Sequence, residues 1–204
     1  MIKGYFITGI GTSVGKTVVS AMLAMHWNTA YWKPIQSGDI HQTDSQLVAL
    51  LSQQTVPILP EVYKLQAAES PHYAAELQAV HLNMSQIKRP DLEQGLLIEG
   101  AGGVYVPINE QYVMLDLMKQ LDLPIILVCR DYLGCINHTL LSIQAIRSAG
   151  LALHYLVFNG NFKESSSRII KQYLPSDCKI IVIPALPELN EKQVREAIPH
   201  IKIY

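Results

Sequence analysis

Charged residues are scarce in this chain of 204 amino acids, and their signs nearly cancel. They make up 16% of the sequence and give a formal net charge of -1, while hydrophobic residues make up 49%. A protein that binds a nucleic-acid backbone needs a positive surface, and the longest basic run here is Lys88–Arg89. The composition therefore predicts a large core and argues against nucleic acid as a partner.

Cysteines and long apolar runs are also few. Cys129, Cys135 and Cys178 lie far apart and form no Cys-x-x-Cys pair, which argues against a disulfide framework or a zinc site. No apolar run approaches the roughly 20 residues that span a bilayer, and the first residues lack the pattern of a signal peptide. The sequence predicts a cytoplasmic protein with no membrane partner.

The most informative segment is TGIGTSVGKT, residues 8–17, which we call the phosphate loop. An apolar strand pattern at 5–7 precedes it and a helical pattern at 18–25 follows it. Glycines allow successive backbone N–H groups to face an anion, Lys16 supplies a positive charge, and the Thr17 hydroxyl can ligate Mg²⁺. The usual motif has glycine five positions before Gly15, but that position is Ile10 here, so the loop is a variant.

Strand and helix patterns alternate along the rest of the chain. Further strands are predicted at 30–32, 123–129, 154–158 and 179–183, and residues 95–103 are predicted to form a strand that runs into a flexible glycine turn. Helices are predicted at 44–51, from 70, 134–149, 164–173 and 191–198. The two prolines in residues 56–60 predict irregular structure there. This alternation predicts an α/β fold, with a mostly parallel sheet, helices on both of its faces, and one domain over residues 1–204.

Polar residues follow several of the predicted strands. Lys33, Ser37, Glu99 and Asn159 all lie where the carboxyl ends of parallel strands would meet, which is where ligands bind in such sheets. An acid flanked by glycines suits Mg²⁺, although each polar residue also has a simpler reading. Lys33 and Glu99 could be solvated surface residues, and Asp44 could be only a helix cap.

Several motifs, taken in order, resemble those of the dethiobiotin synthetases. They are the phosphate loop, KPIQSG at 33–38, SPH at 70–72, EGAGG at 99–103, LGCINH at 133–138, and Asn159. The resemblance implies a P-loop NTPase-like fold and an ATP- and Mg²⁺-dependent ligase of biotin biosynthesis. Such enzymes join CO₂ to 7,8-diaminopelargonic acid through a carbamate and a carbamic-phosphoric anhydride, releasing ADP and phosphate.

The resemblance also implies roles for individual residues. Those implied to bind ATP are Gly11, Thr12, Ser13, Val14, Gly15, Lys16, Thr17, Glu99, Gly102, Asn159, Pro184 and Leu186. Those implied to hold Mg²⁺ are Thr17, Asp44 and Glu99, and those implied to act in catalysis are Lys33, Lys16, Thr12 and Ser37. Substrate would contact Ser37 and, from the partner subunit of a homodimer, Gly134, Cys135, Ile136 and Asn137.

One departure and two alternatives accompany this resemblance. Dethiobiotin synthetases often carry acidic residues within the loop, where this chain has Gly11 and Ser13. The first alternative is a nucleotide switch like the partition and cell-division ATPases, which share this fold and a similar loop. Those proteins usually have a second lysine in the loop, and this chain has none between Gly9 and Gly15. A cobyrinate-type amidotransferase would need a glutaminase domain, for which the 204 residues leave no room.

Overall fold

The computed structural model describes residues 4–204, and strands and helices alternate along most of this length. The strands are β1 (Gly4–Gly9), β2 (Ala30–Trp32), β3 (Ile35–Ser37), β4 (Ile58–Leu59), β5 (Tyr63–Leu65), β6 (Leu96–Gly103), β7 (Ile125–Arg130), β8 (Leu153–Asn159), β9 (Lys179–Ile183) and β10 (Lys202–Ile203). The α-helices are α1 (Lys16–Trp27), α2 (Asp44–Leu51), α3 (Pro71–Leu77), α4 (Met114–Leu121), α5 (Cys135–Ser148), α6 (Glu164–Lys171) and α7 (Glu191–Ala197).

Eight of these strands form one sheet in the order β10-β9-β8-β7-β1-β6-β2-β4, and β3 pairs with β5 in a small second sheet. Every pairing in the large sheet is parallel except that of β10 with β9. Strand β7 is buried at every position from Ile125 to Cys129, so both of its faces are covered. The predicted α/β class, with a mostly parallel sheet and helices on both faces, is confirmed.

The strand register places the candidate residues at one edge of the sheet. Strand β1 lies between β6 and β7, and its Ile7 is opposite Glu99 of β6. Strand β2 pairs with β6 through Trp32 and Ile98, so the residue after β2, Lys33, comes next to Glu99. The phosphate loop, which leaves the carboxyl end of β1, therefore lies beside both residues.

The ends of two helices explain how the chain enters the site. Helix α1 starts directly after Gly15, whose φ of 86° is in the left-handed region that favours glycine. Helix α2 starts with a capping box in which Thr43 accepts from the Gln46 backbone N–H and Gln46 accepts from the Thr43 N–H. Thr43 is therefore the cap, and the Asp44 side chain is available for other contacts.

Two predictions of local structure were wrong. Residues 56–60 are not wholly irregular, because β4 forms within them and pairs with β2. The glycines after Glu99 do not form a flexible turn, because β6 continues through them to Gly103. At Gly100 a Cβ would lie 2.8 Å from the Phe6 ring, so close packing requires glycine there. Strands β3, β5 and β10 and helix α4 were not predicted.

No helix within residues 4–204 combines the length and apolar character needed to cross a membrane. That residues 1–204 form a single domain stays a prediction.

Candidate functional site

A cavity of about 580 Å³ opens at the carboxyl ends of the central strands. It gathers residues from the phosphate loop, from the segment after β2, from β6 and from the start of α3. Its polar and charged lining side chains include Thr12, Ser13, Lys16, Thr17, Lys33, Gln36, Ser37, Asp39, Asp44, Glu69, Ser70 and Glu99. The fold thus brings together most of the residues that the sequence analysis assigned to phosphate, metal and catalysis.

Lys16 lies over the phosphate loop itself. Its Nζ donates to the Gly11 carbonyl oxygen at 3.3 Å, and the side chain is buried. Burial lowers the pKa of Lys16 to about 8, with Glu99 opposing the shift and Lys33 adding to it. An anion bound in the loop would favour the charged ammonium and reverse this effect.

Lys33 is the cation at the centre of an acidic network. Its Nζ lies 2.5 Å from Asp44 Oδ2 and 3.1 Å from Glu99 Oε1, and only 5% of its side chain is exposed. Burial alone would lower the pKa of Lys33, but the two carboxylates outweigh it and raise the pKa above its ordinary value. Burial would raise the pKa of Asp44, but Lys33 dominates and holds it low. Lys33 and Asp44 therefore both stay charged at neutral pH.

The three residues assigned to Mg²⁺ meet at the end of this network. Thr17 Oγ1 lies 2.8 Å from Asp44 Oδ1 and 3.1 Å from Glu99 Oε1. All three side chains offer oxygen, which is the donor that Mg²⁺ prefers. Residues 4–204 contain no group of three or more His, Cys, Asp or Glu side chains arranged to hold a metal. One hydroxyl and two carboxylates are a donor set that fits a Mg²⁺ ion that also takes ligands from a nucleotide, as Mg²⁺ commonly does.

Three buried residues that the sequence analysis did not single out support the network. Ser20 Oγ and Tyr31 Oη donate to Glu99 Oε2 at 2.8 and 2.9 Å. Gln36 bridges the turn before α2, since its Nε2 donates to the Gly38 carbonyl and its Oε1 accepts from the Asp44 N–H. Ser20 and Tyr31 lie within apolar helix and strand patterns, and Gln36 lies between the motif residues Lys33 and Ser37. No feature of the sequence distinguishes them as members of the site.

Asn159 contacts the phosphate loop directly. Its Nδ2 donates to the Val14 carbonyl oxygen at 2.8 Å, and a Cβ on Gly15 would lie 2.2 Å from that nitrogen. The amide therefore supports the loop, and its Oδ1 accepts no hydrogen bond from residues 4–204. Pro184 and Leu186, which follow β9, are half-buried and do not line the 580 Å³ cavity.

The remaining residues assigned to the loop and the substrate also have defined positions. Thr12 and Ser13 are exposed at the cavity mouth, and Gly102 lines its wall with a φ of 63°. Ser37 lines the same cavity, and its buried Oγ has no hydrogen-bond partner among residues 4–204. An unpartnered buried hydroxyl in a cavity that is also lined by Lys16 and Lys33 is suited to an anionic ligand.

Residues 134–137 lie away from this cavity, at the start of α5. Gly134 precedes the helix with a φ of 103°, Cys135 is buried, and Asn137 is exposed. Burial raises the pKa of Cys135, which fits packing better than a nucleophilic role. A second cavity of about 620 Å³ lies between the phosphate loop and residues 130–132 with His138. None of residues 134–137 lines the cavity that contains Lys33.

Known proteins resemble the chain over most of its length. A family model described as an AAA domain matches residues 3–193. The ATP-dependent dethiobiotin synthetase of Christiangramia forsetii is 47% identical over 84% of this chain and 83% of its own length. The corresponding protein of Nitrobacter hamburgensis is 40% identical over 94% of this chain and 90% of its own length. The chain belongs to the dethiobiotin synthetase family.

Solved structures of other P-loop proteins share the fold of this family member. A ParA family ATPase from Chlorobium tepidum aligns over 98% of this chain and 90% of its own with a TM-score of 0.52 and 10% identity. The signal recognition particle receptor FtsY of Elizabethkingia anophelis, in complex with GDP, aligns over 97% of this chain and 64% of its own with a TM-score of 0.53 and 13% identity. At such identities the likeness concerns the fold alone.

Proposed function

We propose that this protein joins CO₂ to 7,8-diaminopelargonic acid and closes the cyclic urea of dethiobiotin, converting ATP to ADP and phosphate. Membership of the dethiobiotin synthetase family makes the chain an ATP-dependent ligase of biotin biosynthesis that acts on small molecules. The substrates and the steps are the proposed part. The observation that carries them is the meeting of Lys16, Lys33 and three oxygen donors in one cavity.

The reaction has to bring two anions together. One amine of the substrate adds to CO₂ and loses a proton, which gives a carbamate. A carbamate oxygen then attacks the γ-phosphorus of ATP, and the bond from that phosphorus to the bridging oxygen breaks to release ADP. The second amine attacks the carbonyl carbon of the resulting mixed anhydride, so that phosphate leaves and the ring closes.

Lys16 and Lys33 supply the charge that these steps need. Carbamate and triphosphate repel each other, and fixed cations in a partly closed cavity lower that repulsion and stabilise the phosphoryl group in transfer. Lys16 is suited to the phosphates because it lies over the loop. Lys33, which lines the same cavity as Ser37 and precedes it by four residues, is suited to the carbamate and acts as the main electrostatic catalyst. Thr12 and Ser37 would position the carbamate and the γ-phosphate.

Thr17, Asp44 and Glu99 would hold Mg²⁺, directly or through water. When bound, the ion would neutralise phosphate charge and orient the triphosphate. The backbone N–H groups of residues 11–17 would surround the phosphates, with Gly102 beside them. Asn159 would read the adenine edge with its Oδ1 and its remaining N–H, and the backbone at Pro184 and Leu186 would flank the base.

Residues 134–137 would bind the remote carboxylate of the substrate from a second copy of the chain. The N–H groups at the start of α5 suit an anion, yet this segment does not line the cavity of its own chain. Leu133, just before α5, is fully exposed, and Leu141, within α5, is 61% exposed. Two exposed leucines so close together support the proposal that a second copy of the chain covers this surface. We therefore propose a homodimer with shared active sites. The cytoplasmic location stays a prediction.

The activity is tested with purified protein, ATP, Mg²⁺, bicarbonate and diaminopelargonic acid, with dethiobiotin identified by mass spectrometry. Dethiobiotin and ADP should appear in equal amounts, and omission of the diamine should abolish most ADP formation. ATP hydrolysis with no cyclic urea would contradict the proposal.

Shared sites are tested by mixing two inactive variants. Lys33→Ala removes the electrostatic catalyst, and Asn137→Asp places a negative charge where the substrate carboxylate should bind while keeping a residue that suits a helix start. If sites are shared, half of the chains in a random mixture form mixed dimers with one intact site, which restores about a quarter of wild-type activity. Sites built within one chain would leave the mixture inactive.

A further inference from the structure

The two carboxylate oxygens of Glu99 have different surroundings. Oε2 accepts from Ser20 Oγ at 2.8 Å and from Tyr31 Oη at 2.9 Å, and both donors are completely buried. Ser20 belongs to helix α1 and Tyr31 to strand β2, so the packed core fixes both hydroxyls. A carboxylate oxygen that accepts two such bonds has both lone-pair directions in use.

Oε1 instead faces the cavity. Its partners are Thr17 Oγ1 and Lys33 Nζ, both at 3.1 Å. Thr17 and Lys33 line the cavity, whereas Ser20 and Tyr31 do not. The partners of Oε1 are thus two groups that would bind Mg²⁺ or the carbamate in the proposed reaction. The partners of Oε2 are instead held in the core.

We propose that Ser20 and Tyr31 are positioning residues that restrict Glu99 to donation through Oε1 alone, and so select Mg²⁺ over Ca²⁺. Mg²⁺ requires near-octahedral geometry and is satisfied by single oxygens, whereas Ca²⁺ accepts more ligands and often binds both oxygens of a carboxylate. Because Oε2 already accepts two hydrogen bonds, Glu99 cannot offer both carboxylate oxygens to one ion. This inference rests on the proposed role of Glu99 as a metal ligand.

Metal selectivity is measured without turnover. ADP is titrated into the protein by calorimetry with Mg²⁺, with Ca²⁺, or with a chelator, and the ratio of the Ca²⁺-ADP to the Mg²⁺-ADP dissociation constant is the readout. Removing an outer partner of a metal ligand commonly costs 10- to 100-fold in affinity. The proposal places this loss on Mg²⁺ and not on Ca²⁺, so Tyr31→Phe and Ser20→Ala should each lower the ratio about tenfold. The double variant should lower it further.

A matched control removes a different buried phenol hydroxyl. Tyr155 lies in β8 and packs against Tyr5 and Trp27, away from the carboxyl ends of the strands. Tyr155→Phe should leave the Mg²⁺ to Ca²⁺ ratio unchanged. Since a loss of fold would weaken ADP binding with either metal, a change in the ratio reports on Glu99 rather than on general stability.

The outcomes separate this inference from the function on which it rests. Glu99→Gln should abolish the tightening of ADP by Mg²⁺, and if it does not, the metal role of Glu99 and the inference both fail. If Glu99→Gln behaves as expected while Tyr31→Phe and Ser20→Ala keep the wild-type ratio, only the inference fails. Dethiobiotin formation by the wild type is measured independently of both results.

Discussion

Replacing Lys33 by alanine should destabilise the protein without Mg²⁺ as well as abolish turnover. The side chain is buried and pairs with Asp44 at 2.5 Å and Glu99 at 3.1 Å. At an effective dielectric constant of about 20, one such pair at ~3 Å is worth about 5 kcal/mol before desolvation is counted. Removing one partner of a buried pair usually costs about 3–5 kcal/mol, because the other charge stays buried.

The different exposures of the two acids lead us to expect a cost at the lower end of that range. Glu99 is 1% exposed and would be left uncompensated, whereas Asp44 is 28% exposed and partly screened by water. We therefore expect Lys33→Ala to lower the free energy of unfolding by about 3 kcal/mol, which for a chain of this size lowers the Tm by about 6–12 °C. Thermal unfolding followed by circular dichroism, with a chelator present, measures this change.

The pH dependence of the difference follows from the pKa directions. In the wild type the pKa of Asp44 is held below its ordinary 3.8, so its contribution to stability is present above that value and lost as the pH falls through the lower folded value. The pKa of Lys33 is raised above 10.5, so its contribution is present below 10.5 and lost at higher pH. Without Lys33 the pKa of Asp44 should rise, because burial is then less opposed. Acidification from pH 8 toward 5 should therefore reduce the difference in free energy of unfolding between variant and wild type, since Asp44 can take up a proton in the folded variant.

Two further measurements make the reasoning refutable. Mg²⁺ should restore more stability to Lys33→Ala than to the wild type, because the ion can replace the missing cation beside the carboxylates. Lys192→Ala is the control, since Lys192 forms an exposed pair with Glu196 at 4.0 Å and its loss should cost less than about 1 kcal/mol. A Lys33→Ala protein that unfolds at the wild-type temperature, with no added response to Mg²⁺ or acid, would refute the account.

Three further predictions concern the phosphate loop. Because the pKa of Lys16 is lowered to about 8, ATP binding at pH 9 should be accompanied by proton uptake. Calorimetry in buffers of different ionisation enthalpy measures this uptake. The Lys16→Ala variant should bind ATP far more weakly and without proton uptake. Asn159→Ala should reduce the preference for ATP over GTP and CTP in competition assays, and unchanged selectivity would count against adenine recognition. Gly15→Ala should weaken ADP binding at least tenfold, since its φ of 86° and the Asn159 amide leave no room for a Cβ, and a cost of about 1–3 kcal/mol is usual for such strain.

Much of the large sheet could be predicted because its signals are local. Strands β2 and β9 and helix α2 have the predicted bounds, since each is a short apolar pattern between clear turn residues. Helix α4 was missed even though its apolar residues recur at helical spacing at 114, 115, 117, 118 and 121. Strands β3 and β5 are three residues each and, among residues 4–204, pair only with each other, so no periodic pattern is long enough to reveal them.

The candidate site was predictable to a different degree. Lys16, Thr17, Lys33 and Glu99 stand at strand or helix ends, where a polar residue is conspicuous, and they do meet in one cavity. Ser20 and Tyr31 lie within the apolar patterns of α1 and β2, where hydroxyls look like ordinary packing residues. Their contact with Glu99 spans 79 and 68 positions of the chain, so only the folded register brings them together.

The network around Lys33 also bears on the order of events at the site. Lys33 neutralises Asp44 and Glu99 in the ligand-free protein, and the same two acids are the proposed ligands of Mg²⁺. Mg²⁺ and the Lys33 ammonium would compete for the same carboxylate oxygens, and the bound triphosphate would attract the ammonium, so binding of the metal nucleotide would free Lys33 from the two acids. The released ammonium would then lie beside the phosphates, with Ser37 close by on the same segment. Carbamate should therefore bind better after Mg²⁺-ATP than before it, since its cation becomes available only then.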